Sequence, residues 1–236
     1  MEELQKLTEE IIACRQCPRL VEWREEVARV KRKAYLDHEY WGKPVPGFGD
    51  PNAAVMVVGL APGAHGSNRT GRQFTGDGSG DFLFPALYRA GFASQADSFA
   101  RDDGLLLSQM WITASGRCAP PQNKPTALEL NTCQPFLERE IELIQPKVFV
   151  ALGRIAFDRI LRIFNLRKKD YAFGHGALYK LPPDLLNTDP LNTASPNTDH
   201  WLLSSYHPSR QNTQTGRLTV MMFDAIWQKA RELIKE

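Results

Sequence analysis

No stretch of the 236-residue chain approaches the ~20 uninterrupted apolar residues that a helix needs to cross a bilayer. The first residues, Met1-Glu2-Glu3-Leu4, are acidic and helix-like, unlike the basic start and apolar run of a secretory signal. A cytosolic protein with no membrane partner is expected. An excess of one charge is missing too. Lys and Arg number 29 against 27 Asp and Glu, a formal charge of +2, so attraction for a polyanion must come from a local cluster. The chain's most glycine-rich loop lacks the Gly-Lys-Ser/Thr ending of a phosphate-binding P-loop, which argues against nucleoside triphosphate hydrolysis. Cysteine is scarce, at four residues, and in a cytosolic chain those four are not expected to pair as disulfides.

What is present is an ordinary globular composition, 42% hydrophobic and 24% charged, at a length one core can span. A single domain over residues 1–236 is expected. Apolar periodicity predicts helices over residues 2–13 and 21–34, followed by a turn-rich linker through Pro44 to Pro51. Continuous apolar runs at 53–59, 110–113, 147–152 and 201–205 read as buried strands. Helices are predicted between and after them at 81–90, 126–144, 153–163 and 216–235, with Pro85 tolerable only near the start of its helix. Thr126 followed by Glu129 forms a capping box. Residues 182–200, rich in Asn, Thr and Pro, read as a mobile surface excursion. Apolar strands alternating with helices predict an α/β fold, a mainly parallel sheet with helices on both faces in a three-layer sandwich.

Two of these strands break into polar, glycine- and proline-containing loops, as strands do where an open α/β sheet forms its binding crevice. The first loop runs Gly59-Leu60-Ala61-Pro62-Gly63-Ala64-His65-Gly66 and on through Phe74 to Asp77. Its glycines allow a close backbone approach to a ligand. Phe74, alone in a polar run, can stack on a planar base or anchor the loop. Asp77 can orient water or face positive charge, or merely cap a turn. The second loop, Tyr206-His207-Pro208-Ser209-Arg210-Gln211-Asn212-Thr213, holds His207 on extended backbone before a proline, where it can hydrogen-bond to a developing anion. Asn123 offers an amide that can donate and accept. Arg69, Arg72, Lys124, Arg210 and Arg217 lie in or beside these loops, as phosphate-pairing candidates or as solvated surface charges.

The cysteines fall into a tight pair, Cys14-x-x-Cys17, and a loose one, Cys118 and Cys133. The spacing favours a metal site over disulfides and leaves zinc and an iron–sulfur cluster both open. Cys17 precedes Pro18 and Cys118 precedes Ala-Pro-Pro, which predicts ligands presented from loops.

Taken together, these segments resemble the iron–sulfur uracil-DNA glycosylases, and within them the type 5 group. The resemblance covers nearly the whole chain through Cys14-x-x-Cys17, Gly-Leu-Ala-Pro-Gly-Ala-His-Gly, Arg117-Cys118-Ala119-Pro120-Pro121, Cys133 and His207-Pro208-Ser209. It implies a four-stranded parallel sheet and a structural [4Fe–4S] cluster on Cys14, Cys17, Cys118 and Cys133, with zinc the lesser alternative. It implies a substrate of double- or single-stranded DNA, flipping of uracil into a pocket, and hydrolysis of the N-glycosidic bond. The catalytic residues it implies are Asp77, Asn123 and His207. Gly59, Leu60, Ala61 and Phe74 would complete the base site, and Arg69, Arg72, Lys124, Ser209, Arg210 and Asn212 would hold DNA. A monomer is expected. Leu60, Ala61 and Ala114 stand where stricter relatives place polar groups, so release of other deaminated bases such as hypoxanthine is expected beside uracil. Two other readings compete: a DNA-damage binder without catalysis, since Gly-Leu-Ala-Pro carries no carboxylate, and a redox protein, which no flavin or nicotinamide motif supports.

Overall fold

The computed structural model describes residues 1–182 and 199–235. Six strands, β1 (Phe48–Gly49), β2 (Val55–Gly59), β3 (Met110–Ala114), β4 (Val148–Leu152), β5 (Leu178–Lys180) and β6 (Trp201–Ser205), make one sheet in the order β1-β3-β2-β4-β6-β5. The inner four run parallel, with Val57 level with Ile112 on one side and Val150 on the other. They are the four apolar runs predicted from sequence. The expected count of four is corrected to six, because β1 and β5 add short antiparallel edges. β1 has two residues inside the Pro-rich linker and β5 three, too few to show a period. Short edges also leave little unpaired backbone for another chain to extend.

The strands are apolar throughout because both faces are covered. Val55 and Val57 of β2 pack with Leu83, Leu87, Phe223 and Trp227 on one side. Met56 and Val58 pack with Leu137, Ile141, Phe157 and Ile160 on the other. The helices are α1 (Glu2–Ala13), α2 (Pro18–Val30), α3 (Ser67–Thr70), α4 (Gly80–Arg89), α5 (Ala127–Ile144), α6 (Arg154–Ile163), α7 (Arg210–Gln214) and α8 (Val220–Lys235). α4 and α8 cover the first face and α5 and α6 the second, while α1 lies on α5 through Leu7, Ile11 and Phe136.

Local chemistry explains the boundaries. The capping box forms as predicted: the Glu129 amide donates to Thr126 Oγ1 at 3.2 Å and the Thr126 amide to Glu129 Oε2 at 2.7 Å. α2 starts earlier than expected because Pro18, read as a breaker, occupies the first turn, where its missing N–H costs nothing. Pro85 lies in the second turn of α4 rather than at its start. The predicted closing helix starts only at Val220, beyond Gly216 with φ +72°. Most of the predicted surface excursion, residues 183–198, lies outside the described residues. No helix among the described residues is long and apolar enough to cross a membrane.

Candidate active site

Parallel strands bring their carboxyl ends to one edge of the sheet, and there the loops after β2, β3 and β6 enclose a cleft of about 670 Å³. That is room for a drug-sized ligand or a nucleotide. Of the residues singled out in the sequence, Leu60, Ala61, Phe74, Asp77, Ala114, Asn123, Lys124, His207, Ser209 and Arg210 all line it. His65, Gln122, Arg32 and Tyr35 also line it, and sequence reasoning gave them no role.

Asp77 caps a turn and also lines the cleft. Its Oδ1 accepts the amides of Ser79 at 2.9 Å and Gly80 at 3.2 Å, which fixes the carboxylate at the start of α4. Its Oδ2 has no hydrogen-bond partner among the described residues, and the residue lines the cleft. Burial pushes this carboxyl above its ordinary range, against the pull of the two amides. Gly63 and Gly66 line the cleft, and their missing side chains also make room for this carboxylate. A Cβ on Gly66 would stand 2.1 Å from Oδ2, and one on Gly63 would stand 2.9 Å away.

Phe74 is placed by the same means. It adopts φ +54°, a left-handed conformation that bulky residues adopt only when their surroundings force it. A Cβ on Gly80 would meet the Phe74 carbonyl oxygen at 1.8 Å, and one on Gly59 would meet the ring at 2.7 Å. Gly59 thus seats the Phe74 ring and does not itself line the cleft. His207 follows β6, its ring centroid 6.0 Å from that of Phe74. Asn212 Nδ2 donates to the His207 carbonyl at 2.9 Å, which ties this loop together, and Asn212 does not line the cleft. Burial lowers the His207 pKa to about 4, leaving a neutral imidazole at physiological pH. Gln122 and Asn123 follow one another with φ +54° and +57° on a tight turn at the opposite loop.

The two arginines of the first loop are structural, which corrects their assignment to DNA. Arg72 is buried and donates to Asp103 at 2.6 and 2.8 Å and to Ser98 at 2.8 Å. Desolvation would raise the Asp103 carboxyl, but the guanidinium and three backbone amides outweigh it and hold the pKa at about 2. Arg69 is buried under the Tyr35 ring and ties the His65 and Gly76 carbonyls together at 2.8 and 3.0 Å. Arg217 stacks on Tyr206 and does not line the cleft. Lys124, Ser209 and Arg210 remain at the cleft wall.

The four cysteines surround one narrow cavity behind this loop. Cys14 ends α1, Cys17 caps α2, Cys118 follows β3, and Cys133 lies within α5, so not every thiol comes from a loop. Among the described residues no three His, Cys, Asp or Glu side chains close around a point as a shell for one metal ion. Burial pushes the thiol of Cys118 to about 11 and that of Cys133 to about 12. Arg24 lies beside them, 2% exposed, with Nη1 donating to Cys118 Sγ at 2.8 Å and Nε unpartnered. Its nearest carboxylate, on Glu25, is 3.8 Å away and half-exposed. That pair is long and half-exposed, so an anionic thiolate-bound group in the cavity would supply the buried guanidinium with a closer counter-charge. The residues therefore fit such a group.

Residues 46–231 match the model of the uracil DNA glycosylase superfamily. The chain belongs to this superfamily. It is 52% identical over 224 residues to the type-5 uracil-DNA glycosylase of Thermus thermophilus, covering 94% of each chain. It is 47% identical to that of Mycobacterium leprae, covering 97% of this chain and 94% of the other. It is 43% identical to that of Pyrobaculum aerophilum, covering 93% and 88%.

In this member of the uracil DNA glycosylase superfamily, the apolar wall expected from the sequence is in place, since Leu60, Ala61 and Ala114 all line the cleft. His65 was visible in the quoted motif, yet nothing in its spacing signalled a role. Gln122 and Tyr35 carry no sequence signal, because only the fold brings their segments to the cleft.

Proposed function

We propose that this protein is a DNA glycosylase that releases uracil by hydrolysing its N-glycosidic bond and leaves an abasic site. The observation that carries this reading is the convergence of Phe74, Asp77, Asn123 and His207, from three separate loops, on one cleft. The bond from the sugar's anomeric carbon to the base breaks with its electron pair passing to the base. Positive charge develops on the sugar and negative charge on the base. His207, as a neutral imidazole, donates an N–H to the base oxygen where that charge collects. Asp77, fixed through Oδ1, turns Oδ2 toward the sugar, stabilises the cation and orients the water that attacks the anomeric carbon. The water's oxygen joins that carbon, and its proton leaves to Asp77 or solvent. Phe74 provides the stacking face, and the Asn123 amide contacts the base edge. The apolar wall of Leu60, Ala61 and Ala114 rejects other deaminated bases weakly, so hypoxanthine is a further substrate.

Cys14, Cys17, Cys118 and Cys133 would hold a [4Fe–4S] cluster of structural purpose. A cluster takes one thiolate per iron, so its ligands stand farther apart than the four around a single zinc ion. A ring of thiols around a cavity, with Arg24 as counter-charge, is suited to that. Iron and sulfide analysis with the visible spectrum tests the cluster, and alkali cleavage of uracil-containing DNA after incubation tests the activity. A colourless, fully active protein with stoichiometric zinc would overturn the cluster.

A further inference from the structure

His65 lines the cleft opposite no assigned substrate group, yet its proton is fixed. The Arg32 amide donates to the Tyr40 hydroxyl oxygen at 3.4 Å, and that hydroxyl lies 3.1 Å from His65 Nδ1. Tyr40 is buried, 8% exposed, so its own proton needs an acceptor. A phenol that accepts one N–H satisfies both roles by donating its O–H to His65 Nδ1. His65 then carries its proton on Nε2. Nε2 has no partner among the described residues. Arg69 Nε grips the His65 carbonyl at 2.8 Å, so the residue is held at its backbone and through Nδ1.

The surroundings are cationic. Arg32 and Arg69 both lie close enough to His65 to disfavour its protonation, beside the larger effect of burial. Arg69 is committed to the His65 and Gly76 carbonyls and to His38 Nδ1, but the Arg32 guanidinium has no partner among the described residues and lines the same cleft. A fixed neutral donor beside a free guanidinium is complementary to an anion. In the proposed mechanism the base and the sugar are already served by Phe74, Asp77, Asn123 and His207, which leaves the nucleic-acid backbone for His65.

We propose that His65 Nε2 and the Arg32 guanidinium form a subsite for one backbone phosphate of the damaged strand, with Tyr40 as the positioning residue that sets the His65 tautomer. The subsite rests on the reading that DNA enters this cleft. It favours a nucleotide strand over free nucleobase, which carries no phosphate.

The test uses uracil-containing oligonucleotides in which single phosphates near the lesion are replaced, one at a time, by neutral methylphosphonate. Affinity and single-turnover release are read with the cluster-loaded wild type, His65→Phe, His65→Gln, Arg32→Met and Tyr40→Phe. At one phosphate position the wild type should lose affinity on the order of 10-fold. His65→Phe should lose a similar factor on unmodified DNA and nothing further on that modified strand, while His65→Gln, which keeps an N–H donor, regains part. Nitrogen-15 spectra should show His65 protonated on Nε2, and a mixture in Tyr40→Phe. Losses that multiply at every position, or an Nδ1-protonated His65, would overturn the subsite. Absence of base release with DNA binding and phosphate coupling intact would overturn the glycosylase reading and leave the subsite standing.

Discussion

Phe74 and His207 meet at the cleft floor with ring centroids 6.0 Å apart and planes inclined by 31°. A base slotted between two aromatic faces needs about 7 Å, twice the usual contact distance between stacked planes. The gap is too narrow for that. In the proposed mechanism the base lies against Phe74 with His207 at its rim, where a ring nitrogen would reach a carbonyl oxygen. Phe74→Ala should weaken substrate capture, raising KM more than it lowers kcat. His207→Ala should lower single-turnover release on the order of 10²-fold with little change in DNA affinity. Equal effects of both variants on binding alone would contradict this division.

Asp77 makes the second prediction, which couples activity to stability. Burial raises its carboxyl in the folded chain. A raised acid binds its proton more tightly folded than unfolded, so stability at neutral pH is reduced and is recovered as pH falls through the folded pKa. Asp77→Asn keeps the acceptor for the Ser79 and Gly80 amides and removes the desolvated charge. It should melt at higher temperature than the wild type while losing on the order of 10²-fold in rate. In the wild type, kcat/KM should fall on acidification at a pH above the ordinary carboxylate range. His207, lowered to about 4, adds no limb near its usual 6.5. Melting curves and a pH–rate profile read both effects.

How much of this was legible in the sequence follows from chemistry and distance along the chain. Strands buried on both faces announced themselves as apolar runs, and Thr126 with Glu129 marked a helix start because a cap is local. Arg72 read as a cation for DNA because its charge is visible in sequence. Its partner Asp103 lies 31 positions on, with no pattern to connect them. Arg24 and Cys118 are 94 positions apart, so the buried guanidinium behind the thiols could not be foreseen. Nor could the glycines' true neighbour, since a Gly-rich loop is equally suited to a ligand and to a carboxylate folded back from its own chain.

Arg24 carries the third prediction. If its charge balances a bound cluster, Arg24→Met should lose iron to a chelator faster than the wild type, and Arg24→Lys should lie between them. Iron content and visible absorbance over time, with circular dichroism to verify folding, give the answer. Identical rates of iron loss in folded Arg24→Met would show that the guanidinium serves packing alone.

Substrate range is the fourth. With Leu60, Ala61 and Ala114 on the wall, a panel of deaminated bases should show release of hypoxanthine beside uracil. Replacing Ala114 by Asn should sharpen preference for uracil, since it adds a polar group that an ill-matched base leaves unpaired. Release confined to uracil in the wild type would show that cleft shape supplies the discrimination.

The most direct measurement of the central claim is base release itself. An end-labelled oligonucleotide with one uracil, double- or single-stranded, is incubated with cluster-loaded protein and then heated in alkali. Cleavage at the uracil position only after alkali, strongly reduced in His207→Ala and Asp77→Asn, is the predicted result. A strand that stays intact after excess protein and prolonged incubation, while still bound, would contradict it.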